Sequence, residues 1–139
     1  MTIESAQRRK SLAILLLAYG AASLVHFVHN AEFLPDYPGL PRTWTHEGVY
    51  FAWMAMTAVG LAGWFLATRG YAVVGLLVLA VYAALGMDSL AHYVLAPLSS
   101  HSFAMNATIL LEVTAAALVL VEVARQLAAR AFRREVMVR

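Results

Sequence analysis

The 139-residue chain is 62% hydrophobic and 13% charged, with a formal net charge of +2 and no cysteine. Soluble domains lie nearer about 45–50% apolar and roughly 25% charged, so this composition excludes an ordinary soluble domain. The lack of cysteine excludes disulfides and thiolate ligands, and basic residues that only flank apolar blocks exclude a nucleic-acid-binding face.

A helix needs about 20 mostly apolar residues to cross a hydrocarbon layer of roughly 30 Å. Four blocks meet that length, at 11–30, 49–68, 71–97 and 103–127. The expected fold class is all-α: a polytopic integral membrane protein forming one antiparallel four-transmembrane-helix bundle over residues 1–139. Nine of the ten Lys and Arg residues fall on one side of that arrangement, leaving Arg42 on the other. The positive-inside rule then predicts an N-in, C-in protein of a bacterial-type inner (plasma) membrane.

Residues 1–10 read as a short polar tail, mobile or lying along the membrane surface. Arg8, Arg9, Lys10 and Ala18-Tyr19-Gly20 also have the look of a signal peptide, but the apolar run continues past that point, as a spanning helix does. Within the first span Tyr19, Ser23, His26 and Asn30 recur at i, i+4, i+7 and i+11, on one helical face. His29 lies on the flank of that face. A polar stripe in a lipid-compatible helix is expected to face the bundle interior.

The loop at 31–45 carries Pro35, Pro38 and Pro41, and is expected to be stiff, extended and folded over the outer mouth. Thr45 suits an N-cap for the second helix, with Glu47 in its first turn. Trp44, Tyr50 and Trp53 suit an aromatic belt. The turn Thr68-Arg69-Gly70 makes the second and third helices neighbours, and Gly60 and Gly63 permit close approach. Asp88 and His92 stand at i, i+4 in the third span, which stops near Pro97. Past the loop 98–102, His101, Met105, Thr108 and Glu112 share a face of the fourth span, extended inward by Ala115, Ala116 and Val119.

Depth separates these groups. At 1.5 Å per residue, Asp88 and Glu112 each lie about 13 Å from their outer helix ends, and His26 and His92 roughly 6–8 Å. His29, His46, Glu47 and His101 are expected at the mouth. Taken singly each has a bland role: a histidine near a helix end caps a carbonyl, Asp88 and His92 form a local pair, and Glu47 is a helix-start acid. Taken together, two carboxylates at matched depth beneath two histidines at matched depth point to a site, because intramembrane ionisable groups are costly.

Four functions fit this set. The first is transition-metal binding (Zn, Cu or Fe) by His26, His29, Asp88, His92 and Glu112, open to the non-cytoplasmic side, with chemistry on a hydrophobic small molecule. The second is metal-free acid/base catalysis by Asp88 and Glu112 on a lipid-like substrate, as in an isomerase or hydratase. The third is haem b ligation by His26 and His92, making an electron carrier. The fourth is a non-catalytic accessory subunit whose polar core specifies helix pairing. Besides the lipid bilayer, the partners expected are that small molecule and further copies of the chain in a homo-oligomer.

Overall fold

A computed structural model describes the backbone of residues 3–138 and the side chains of residues 6–132. It is built of five helices: α1 (Ile3–Glu32), α2 (His46–Thr68), α3 (Ala72–Gly86), α4 (Ala91–Leu95) and α5 (Phe103–Val138). Short 3₁₀ turns occur at Leu34–Asp36, Met87–Leu90 and Leu98–Ser100. Four segments are long and apolar enough to cross a membrane: Ala6–Glu32, His46–Thr68, Ala72–Leu95 and Phe103–Phe132. The third of these comprises α3, the Met87–Leu90 turn and α4. The chain is thus an all-helical, multi-pass membrane protein.

Two ends differ from expectation. Residues from Ile3 onward, expected as a polar tail, already belong to α1, and α5 continues past residue 127 to Val138. A helix leaving the membrane keeps its internal hydrogen bonds in water, so it need not stop where the apolar pattern does.

Each spanning segment packs on two others, in the cyclic order α1, α2, α3, α5. Their outer faces are apolar on every helix: Leu17, Phe51, Val94 and Phe103 are all at least 70% exposed. Hydrocarbon, rather than water, is the medium in which such a surface is stable. The apolar interior gathers Leu12, Tyr19, Met56, Leu76, Leu79, Tyr82, Ala83, Ala116, Val119 and Val123. Contact between α2 and α3 is closest at Gly75, where an added Cβ would stand 2.2 Å from the Ala67 backbone nitrogen. Without a hydrophobic force between helices in lipid, backbone approach of this kind supplies packing.

Tyr19 packs on the third crossing just before its 3₁₀ turn. Tyr19 donates its hydroxyl to the Tyr82 carbonyl at 3.1 Å, the carbonyl that a continuous α-helix pairs with Gly86. A side chain at position 86 would collide with that hydroxyl, since a Cβ there would lie 2.1 Å from it. The next residues, Met87–Leu90, wind as a 3₁₀ turn. At 3.0 residues per turn, i and i+3 eclipse, which brings Ser89 into line with His92. Both are buried, while Asp88 is exposed.

Candidate functional site

The polar stripe of α1 does face inward. Ser23 and His26 are 0% and 2% exposed, and Asn30 is half-buried. Opposite them stand Glu112 from α5, fully buried, Ser89 from the 3₁₀ turn, and His92 from α4. The 31–45 loop contributes Tyr37, 3% exposed, whose ring lies 4.9 Å from that of His92 and 5.8 Å from that of His29, centroid to centroid. Burial pushes the Tyr37 phenol up to about 12. It therefore keeps its proton, and its hydroxyl hydrogen-bonds with His29 Nδ1 at 2.8 Å.

Thr108 Oγ1 lies 3.0 Å from the Met105 carbonyl and 3.3 Å from His26 Nδ1. In the tautomer with its proton on Nδ1, His26 donates to that hydroxyl. Its Nε2 faces Glu112 Oε2 at 3.7 Å. That oxygen already receives the Ser89 hydroxyl at 2.5 Å, and Oε1 has no partner. At that separation His26 Nε2 and Glu112 Oε2 form an ion-pair contact and not a hydrogen bond, and in that tautomer a proton on either atom makes the contact favourable.

The histidines continue outward as a chain of edge-on rings. His26 and His92 have centroids 5.5 Å apart, and His92 and His101 6.2 Å. Asn30 Nδ2 donates to His92 Nε2 at 3.3 Å, and His101 Nδ1 donates to the Pro97 carbonyl at 3.1 Å. Among the described residues the buried polar atoms without a partner include Ser23 Oγ, Asn30 Oδ1, His92 Nδ1, His101 Nε2 and Glu112 Oε1, all in this cluster. The two others, Trp53 Nε1 and Thr57 Oγ1, lie on α2. The first five atoms lie together in a polar cluster of the kind that ordered water or a ligand completes.

A cavity of about 460 Å³ opens beside the cluster, between α1, α2, the broken third crossing and the loop. His26, Asn30, Asp88, Ser89 and His92 form its polar side, against Phe27, Leu40, Trp44, Met56 and Leu85. Its size and apolar lining suit a small hydrophobic ligand. Glu112 does not line it but stands behind His26 and Ser89.

No known family, curated protein or solved structure matches this chain. The site is therefore read from its own geometry.

Several expected site residues are placed otherwise than their spacing implied. His26, His92 and Glu112 come together. Asp88 does not join Glu112: it is exposed on the wall of the cavity, and Ser89 meets Glu112 in its place. His29 reaches Tyr37 instead of the interior. His101, expected at the mouth, is buried and stacks on His92. His46 and Glu47 are exposed at the start of α2, where Thr45 accepts from Gly48 N–H at 3.1 Å as an N-cap, and neither lines the cavity. Among the described residues no three His, Asp or Glu side chains converge closely enough to hold one metal ion. Ser89 and Tyr37 were missed. Gly86 within a helical run and an aromatic between two prolines are the signals that pointed to them.

Proposed function

We propose that this protein carries out metal-free acid/base chemistry on a small apolar molecule held in the cavity beside His26. His26, which lines the cavity, is the group that exchanges a proton with the substrate, by turning its Nε2 from Glu112 toward the cavity. Glu112, behind it, is a positioning residue that holds that proton, and Ser89 and Thr108 orient the two. The observation that carries this reading is the buried contact of His26 Nε2 with Glu112 Oε2, 3.7 Å apart, at the edge of an apolar cavity. A site that holds or releases one proton beside an apolar cavity has what proton abstraction next to a carbonyl, double-bond migration or hydration requires.

The bundle is taken as antiparallel in a bacterial-type plasma membrane. Both termini are cytoplasmic and the His/Glu site lies toward the outer face, in keeping with the Lys/Arg asymmetry.

The test is solvent isotope exchange. Wild-type protein in nanodiscs, incubated in D2O with an apolar lipid extract, is expected to introduce deuterium at carbon, read by mass spectrometry. His26→Ala should abolish it. Absence of exchange with folded wild type, or exchange that persists in the variant, sinks the proposal.

Metal binding has one observation in its favour. His101 donates Nδ1–H to a backbone carbonyl and leaves Nε2 bare, the arrangement of a metal-ligating histidine. Exchange that survives exhaustive chelation keeps the metal-free reading. Loss on chelation, with recovery on adding Zn, Cu or Fe, transfers the site to a metal.

A further inference from the structure

The opposite end of the bundle carries a second pair of hollows that the acid/base site does not use. One, of about 260 Å³, has Arg8, Arg9 and Arg130 on its walls and Leu12, Trp64 and Leu76 beneath them. The guanidinium of Arg9 stands 5.7 Å from the centre of the Trp64 ring, a cation–π contact that fixes the arginine at the opening. The other is an apolar groove of about 510 Å³ between α1 and α2, floored by Gly20, Ala21 and Gly60 and flanked by Leu17 and Leu61. Trp64 lines both, so the basic pocket and the groove adjoin at that ring.

Charge and length identify the occupant. The groove runs along α2 from Trp64 to Trp53, eleven residues and so about 16 Å. That is roughly half the hydrocarbon thickness, the depth of one leaflet. The head of this channel is cationic and its remainder apolar, with leucines that face lipid. An anion with a long apolar tail matches both parts at once, whereas an inorganic anion uses only the head and a neutral lipid only the groove. Basic pockets between helices at the basic face of membrane proteins hold such headgroups.

We infer that this end of the bundle is a binding site for an anionic phospholipid, with its phosphate at Arg9 and Arg130 and one acyl chain in the α1–α2 groove past Trp64. The inference rests on the membrane character of the chain and is independent of the chemistry proposed at His26.

The test follows Trp64. With Trp44→Phe and Trp53→Phe in place, Trp64 is the sole tryptophan. The full chain in detergent is titrated with phosphatidylglycerol brominated on its acyl chains, and with phosphatidylcholine bearing the same chains. Phosphatidylglycerol should quench Trp64 saturably and at about 30-fold lower mole fraction, the usual effect of two basic residues at an anionic surface. Arg9→Gln with Arg130→Gln should remove that preference; both side chains are exposed, so folding is retained. Ala21→Phe, which fills the groove without altering charge, should weaken quenching by both lipids. Inorganic phosphate at tens of millimolar, against chloride of equal ionic strength, should leave quenching by phosphatidylglycerol unchanged. Equal quenching by the two lipids overturns the inference, as does a preference that survives the double arginine variant. Displacement by inorganic phosphate also overturns it, by reducing the site to a free-anion pocket.

Discussion

The two halves of the bundle are made from the same helices yet follow opposite rules. Toward the arginine-rich end the interior is Leu12, Leu76, Leu79, Val119 and Val123, and its buried polar residue is Gln126. Its amide donates to the Arg8 carbonyl at 3.2 Å and to Glu122 Oε1 at 2.9 Å. Toward the loop end the interior contains Ser23, His26, Ser89, His92, His101 and Glu112, with five buried polar atoms unpaired. The first half is filled by apolar side chains. The second gathers buried ionisable and polar groups, as sites that bind or react do.

The contrast can be broken most severely at Glu112. Glu112→Gln keeps the shape and removes the group that holds the proton, so deuterium exchange should fall by roughly 10²–10⁴-fold. The thermal midpoint should stay level or rise, since a buried ionisable group has been neutralised. A parallel loss of folding would place Glu112 with the packing half.

Gly75 gives the reverse. Gly75→Ala drives a methyl into the Ala67 backbone, and overpacking of that kind costs about 1–3 kcal/mol. Reversible unfolding in mixed micelles should register it. Exchange per folded molecule should be unaltered; a change there would mean that the halves are coupled.

Tyr37 tests how the loop closes the polar half. Tyr37→Phe removes the hydroxyl that hydrogen-bonds with His29 and should cost about 1 kcal/mol. The sign of the alkaline effect follows from the phenol, which ionises near 10 when exposed and at about 12 when folded. Between those values the folded state holds the extra proton, so wild-type stability falls as pH rises from 10 toward 12. The variant should lack that part of the decline. An identical alkaline profile would remove Tyr37 from the buried cluster.

The smallest effect is expected at Asp88. Asp88→Asn is exposed and should shift stability by less than about 0.5 kcal/mol, and exchange should fall far less than in Glu112→Gln, since Asp88 lines the cavity without meeting Glu112. A loss equal to that of Glu112→Gln would make Asp88 the group that handles the proton.

The membrane spans were legible because hydrocarbon imposes a length and a composition on every crossing. The stripe from Tyr19 to Asn30 was legible because α1 is unbroken, so a period of 3.6 maps sequence onto face without drift. The same rule failed at Asp88, since the period changes within the crossing at Gly86. His101 was read as peripheral from its distance to a helix end. Its burial depends on the turn Leu98–Ser100 folding back so that the ring meets His92 and Tyr93, a tertiary contact that has no period.

The 3₁₀ turn acts as a phase offset written into one crossing. A 3₁₀ residue turns about 120° and an α-helical residue about 100°, so the four residues Met87–Leu90 gain roughly 80° over a continuous helix. Residues outward of that point, His92 included, are turned by that angle from where an unbroken helix would place them. Serine and not aspartate thereby meets Glu112.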